Sequence, residues 1–186
     1  MYQRIVRLAG VRPGDRVLDV GCSGGYLARK LASAAGPAGA VTGVDPSAAA
    51  VAYARRRALP AMTFTTGTAQ DLPLPDSSFD VVTSTLALHH VPARQRQRAF
   101  TEMYRVTRPG GRLLVADFDP SRRPPPLHPG GGGMRRAATT VGPLQELVAA
   151  AGYRVETVGT LPLLRYVLAT RPDPDGDRQV QKSDQV

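Results

Sequence analysis

The chain has 186 residues, enough for one domain with a sizeable core, and 42% of them are hydrophobic with no apolar run long enough to cross a bilayer. Its formal net charge of +9 comes almost entirely from arginines in short scattered groups, and such a charge bears on association rather than on fold. Cys22 is the lone cysteine, which excludes an internal disulfide, and charges interrupt the apolar stretch at the N-terminus, so a cytoplasmic location is expected.

Short β-branched runs alternate with helical patterns, as in a parallel sheet covered by helices on both faces. Residues 16–20 read as a buried strand running directly into a Gly/Ser loop. Leu27, Leu31 and Ala34 recur at helical spacing over 26–35, and Gly36-Pro37 stops that helix. A second strand, 40–44, ends at Asp45-Pro46-Ser47, where Ser47 caps a helix running to about residue 58. Strands three and four fall at 62–66 and 79–86. Phe100, Met103, Tyr104 and Thr107 form the inner face of a helix over 93–107, terminated by Pro109-Gly110-Gly111. Residues 112–117 make a fifth strand, and Pro143 and Gly152 bracket another helix. The runs 154–158 and 163–169 predict a closing antiparallel hairpin. The Pro-, Gly- and Arg-rich stretch 119–140 reads as a loop or lid. A polar tail over 171–186 is expected to be disordered, which leaves a domain over 1–170.

In an open parallel sheet, ligands bind beyond the carboxyl ends of the strands, where the strand order reverses. Every strand end here carries suitable chemistry. The first is followed by Asp19-Val20-Gly21-Cys22-Ser23-Gly24-Gly25, whose small residues admit a ligand close to the backbone at a helix N-terminus that favours an anionic group. Asp45, next to Pro46, offers a carboxylate to ligand hydroxyls, and the segment 67–73 offers another at Asp71, followed by Leu72. The dinucleotide fingerprint G-x-G-x-x-G fails, because Ser23 and Tyr26 stand at its second and third glycines. His89 and His90 follow strand four on the same side and are the candidate bases. Successive strand residues face opposite ways, so one of the two is expected to face an acceptor.

The stretches 17–25 (VLDVGCSGG), Val44-Asp45, 71–82 (DLPLPDSSFDVV), 88–91 (LHHV) and 105–114 (RVTRPGGRLL) resemble the class I S-adenosylmethionine-dependent methyltransferases, in particular the ubiquinone-biosynthesis-like small-molecule group. The resemblance implies a doubly wound, mostly parallel, Rossmann-like α/β sheet of seven strands, the last antiparallel. It implies S-adenosyl-L-methionine as cofactor, with Gly21, Ser23 and Gly25 beneath the methionyl part, Asp45 and Pro46 at the ribose, and Asp71 and Leu72 at the adenine. Asp19 would support the loop and the cofactor's amino group, and the backbone around Thr85 would touch the cofactor. His90 is common in this group and ranks ahead of His89 as a base, and no metal site is expected. Ser23 departs from the usual middle glycine. The segment ahead of the first strand is short for the group, so the acceptor pocket is expected to stand open, or to be covered by a second copy of the chain or by the 119–140 loop. The expected partner is a small-molecule methyl acceptor, rather than nucleic acid or a membrane. Nucleic-acid or protein methylation, and a catalytically idle cofactor-binding module, stand as the alternatives.

Overall fold

The computed structural model describes residues 1–119 and 144–174. Most of the predicted 119–140 loop, Pro143 and the tail beyond residue 174 lie outside the described residues. One sheet holds seven strands: β1 (Arg16–Val20), β2 (Ala40–Asp45), β3 (Met62–Thr66), β4 (Phe79–Thr85), β5 (Thr107–Phe118), β6 (Arg154–Leu161) and β7 (Leu164–Thr170). Their order is β3-β2-β1-β4-β5-β7-β6. β1 through β5 pair in parallel, and β7 runs antiparallel to both of its neighbours. This is the doubly wound sheet with an antiparallel last strand that the sequence predicts.

Successive strand side chains alternate between the two faces, and each face has its own core. On one side Val17, Val81 and Leu114 pack against α1 (Tyr2–Ala9), α2 (Tyr26–Ala35) and α3 (Ala48–Arg55) through Ile5, Leu27, Leu31 and Val51. On the other, Leu18, Val82 and Leu113 meet α4 (Arg96–Val106) and α5 (Leu144–Ala150) through Phe100, Met103 and Val148. Each such fully buried large side chain contributes about 1.5–3 kcal/mol. Two-sided burial explains why the strands read as near-continuous apolar runs. Among the described residues no helix is long and apolar enough to cross a membrane.

Several boundaries differ from expectation. The Ser47 hydroxyl caps α3 by accepting the Ala50 N–H at 3.2 Å, yet the helix stops at Arg55, whose Nε donates to the Phe64 carbonyl at 2.9 Å and ties the helix end to β3. The helix foreseen from residue 93 opens with a 3-10 turn at Ala93–Gln95 and ends at Val106. Pro109-Gly110-Gly111 therefore lies in the opening of β5, where Gly110 takes φ 72° and its N–H donates to the Arg171 carbonyl. Helix α1 is an addition. Its buried Ile5 and Ala9 anchor it, Gly10 ends it at φ 60°, and the Arg112 guanidinium donates to the Gly10 carbonyl while pairing with Asp15 at 2.7 Å.

From β1 the chain winds outward through α2 to β2 and β3, then returns to lay β4 on the other flank of β1. The reversal opens a crevice between the tips of β1 and β4.

Candidate functional site

The loop after β1 is held open by specific backbone geometry. Gly21 has φ 77°, and a Cβ there would stand 2.2 Å from the Ala87 Cβ, so glycine alone lets the β1 and β4 tips approach. Gly25 (φ 74°) caps the N-terminus of α2, and a side chain there would strike the Phe64 ring. Ser23 is left-handed at φ 46° without being glycine, which costs roughly 1–2 kcal/mol. Its N–H donates to Asp45 Oδ2 at 2.8 Å, while the Ser47 N–H donates to Oδ1 at 2.9 Å. The buried Asp45 carboxylate thus pins the β1 loop to the β2 tip. Each of its oxygens keeps a further lone pair for a ligand.

Two adjoining cavities occupy the crevice. The larger, about 510 Å³, is lined by Val44, Asp45, Pro46, Gly67, Thr68, Ala69, Gln70, Ala87 and His90 among others, a size typical of small-molecule sites. The smaller, about 210 Å³, is lined by Tyr2, Asp19, Cys22, Gly24, Tyr26 and Thr85 among others. Gly21, Ser23 and Leu86 belong to both walls. Leu86, like Ser23, is left-handed (φ 56°). Two strained residues meeting where the cavities join is the pattern of backbone over-determined around a ligand.

In the smaller cavity Asp19 is almost fully buried. Burial pushes its carboxyl up to about 7; the Thr83 hydroxyl, donating to Oδ1 at 2.9 Å, pulls it back, and the Asp45 charge pushes the same way as burial. Thr85 Oγ1 is buried with no hydrogen-bond partner among the described residues. A carboxyl and an unpartnered hydroxyl at one cavity wall make a receptor for a cationic donor, and burial makes each costly to leave unmatched.

Among the residues singled out in the sequence, Asp19, Gly21, Ser23, Asp45, Pro46 and Thr85 come together on these walls. Gly25 stands just behind, at the start of α2. Asp71 is exposed and outside both linings, in a bridge with Thr68 that turns the chain back. Leu72 is buried in the core, and its N–H donates to Glu102 Oε2 at 2.9 Å. From the same segment it is Thr68 and Gln70 that reach the larger cavity.

The two histidines diverge. They lie in a 3-10 turn, Leu88–His90, where strand alternation no longer applies. His90 is exposed and lines the larger cavity beside Val91 and Pro92. His89 turns to β5: its Nδ1 lies 2.8 Å from Asp117 Oδ1, and its own N–H donates to Asp117 Oδ2 at 3.1 Å. Asp117 is fully buried, and its Oδ1 also accepts the Phe118 N–H at 2.7 Å. Sequence reasoning passed over Asp117, although it stands one residue from the end of β5 at the ligand edge, much as Asp45 ends β2.

Residues 17–111 match the family model described as a methyltransferase domain. The chain is 40% identical over 124 residues to the ubiquinone/menaquinone biosynthesis C-methyltransferase UbiE of Ectopseudomonas mendocina (strain ymp), covering 64% of this chain and 48% of that protein. It is 42% identical over 120 residues to the 27-O-demethylrifamycin SV methyltransferase of Amycolatopsis mediterranei (strain S699), covering 60% and 43%. The chain thus spans about half the length of the curated relatives it matches. Its fold is similar to that of a SAM-dependent methyltransferase from Aquifex aeolicus, with a TM-score of 0.78, 22% identity, and 91% of this chain and 89% of that chain covered. The glycine loop, the β2-tip carboxylate and the segment through Gly111 all fall within the matched stretch: the chain belongs to the methyltransferase domain family.

Proposed function

We propose that this chain moves a methyl group from S-adenosylmethionine to a small-molecule acceptor. The observation that carries the reading is the paired crevice at the β1 and β4 tips, where a larger cavity lined by Asp45 shares Gly21, Ser23 and Leu86 with a smaller one lined by Asp19 and Thr85. Those residues fit the cofactor. Asp45 offers free lone pairs to ribose hydroxyls, Thr68 and Gln70 offer polar groups to a base, and Asp19 with the unpartnered Thr85 hydroxyl matches an ammonium. The resemblance to a ubiquinone/menaquinone biosynthesis C-methyltransferase and to a 27-O-demethylrifamycin SV methyltransferase supports a small organic acceptor.

When bound, the cofactor supplies a methyl group already activated on a positively charged sulfur. The chain's own work is to bind, align and exclude water, a positioning effect that contributes roughly 7–11 kcal/mol in favourable systems. Where the acceptor atom carries a proton, His89 is the base we assign. Asp117 occupies Nδ1, which leaves Nε2 to accept the proton, and the doubly hydrogen-bonded carboxylate holds the ring in place. His90, on the nucleoside side, serves cofactor binding in this reading. We also propose that two copies of the chain pair over the acceptor face, which sedimentation of the purified chain tests.

Calorimetry with S-adenosylmethionine and S-adenosylhomocysteine, followed by a methyl-transfer screen over small acceptors, tests the function. Stoichiometric binding of both and turnover of at least one acceptor are expected. Failure to bind either cofactor form refutes it.

A further inference from the structure

The lining of the smaller cavity combines residues of opposite character. Asp19, almost fully buried, Thr85 and the glycine loop are its polar part. Its aromatic part is Tyr2 and the half-exposed Tyr26, which meet edge to face with ring centroids 4.9 Å apart. Tyr26, the first residue of α2, already has a cation at its ring, with Lys30 Nζ at 5.1 Å from the centroid and the Arg29 guanidinium at 5.9 Å. Arg29 is itself tied to the loop, donating to the Gly24 carbonyl at 3.1 Å.

Tyr2 comes from outside the family-matched stretch, which begins at residue 17. It is carried by α1, and that short helix is fixed at several points. Ile5 and Ala9 are buried among Leu27, Leu31, Leu114 and Ala116, Tyr2 packs against the same cluster, and Arg112 holds the helix end. A partly buried tyrosine on an anchored helix keeps its ring in place at little further cost in conformational entropy.

The geometry points to Tyr2 as a positioning residue for the cofactor: its ring, braced by Tyr26, is the outer wall of the amino-acid subsite and keeps water from the ammonium that Asp19 and Thr85 receive. The inference rests on reading the crevice as an S-adenosylmethionine site. Its physical basis is dielectric, because a charge pair behind an apolar wall interacts more strongly than one open to solvent. The cations at Tyr26 add a positive potential at the mouth, suited to a ligand that also bears a carboxylate. Both forms of the cofactor carry the same amino-acid group, so the wall acts on both alike. A ligand that ends at the nucleoside does not reach it.

The test compares three ligands by calorimetry on the full chain. S-adenosylmethionine and S-adenosylhomocysteine bear the amino-acid tail, and 5′-methylthioadenosine lacks it. In Tyr2→Ala, affinity for the first two falls about tenfold while that for 5′-methylthioadenosine stays within twofold, and Tyr2→Phe behaves as the parent chain with all three. Unchanged affinity of Tyr2→Ala for S-adenosylhomocysteine overturns the inference. So does an equal loss for 5′-methylthioadenosine, which would mean that Tyr2 only supports the fold. A parent chain that binds none of the three ligands instead sinks the cofactor reading itself.

Discussion

His89 and Asp117 are locked together across the tips of β4 and β5, ring nitrogen to one carboxylate oxygen at 2.8 Å and backbone N–H to the other at 3.1 Å. Two bonds from one residue to one buried carboxylate fix both the position and the tautomer of the imidazole. Such a pair gives a base a set direction, which the exposed His90 beside it lacks.

Asp117→Asn and His89→Gln should therefore each lower turnover by about 10²–10⁴-fold on an acceptor that must lose a proton. Affinity for S-adenosylhomocysteine should stay near that of the parent chain, since neither residue lines the two cavities. Steady-state rates across pH, with calorimetry as the control, check this. Full activity in both variants would remove the pair from the chemistry.

His90→Ala should act in the opposite way. His90 lines the larger cavity with Pro46, Thr68 and Gln70, so its loss should weaken cofactor binding several-fold and leave the rate at saturating cofactor little changed. A collapse of that rate with normal cofactor affinity would restore His90 as the base that the sequence ranks first.

Asp19 makes binding depend on pH. Its carboxyl titrates at about 7 in the folded chain because it is buried, against ~3.9 in an unfolded one. A raised folded pKa means that its contribution to stability is complete below ~3.9 and is lost as pH rises through 7. An ammonium ligand prefers the ionised form, so S-adenosylhomocysteine affinity should drop up to about tenfold for each pH unit below 7, with protons released on binding. Calorimetry at pH 8 and pH 6 in buffers of different ionisation enthalpy measures both. Asp19→Asn should bind more weakly and without this slope; a parent chain with no slope contradicts the assignment.

Asp45→Ala should weaken cofactor binding by about 1–3 kcal/mol, the usual cost of losing a charged acceptor. The same change frees the Ser23 and Ser47 N–H groups that the carboxylate now accepts. A loss of thermal stability should accompany it, read by calorimetric unfolding. Asp45→Asn, which keeps one acceptor oxygen, should lose less of both.

The sheet and the glycine loop were legible because their signals are local: β-branched runs, Gly21 and Gly25 where a side chain would collide, Asp45 at a strand end. Legibility failed where the chain changes direction. Across the Thr68–Asp71 bridge, residue order does not say which side chain faces the crevice: the sequence points to Asp71, whereas Thr68 and Gln70 line the larger cavity. In the 3-10 turn at Leu88–His90 the strand rule for choosing between neighbouring histidines lapses. Asp117 pairs with a residue 28 positions away, a relation that only the β4–β5 pairing creates. Helix α1 is legible in principle from Tyr2, Ile5, Val6 and Ala9, which fall at helical spacing with Arg4 and Arg7 on the other face, but the pattern spans a mere 8 residues.

A structure of the chain with S-adenosylhomocysteine tests the central claim most directly. The ribose should lie within hydrogen-bond reach of Asp45, the base beside Thr68 and Gln70, and the ammonium at Asp19 and Thr85. A ligand seated elsewhere, or one leaving Asp45 and Asp19 untouched, would contradict it.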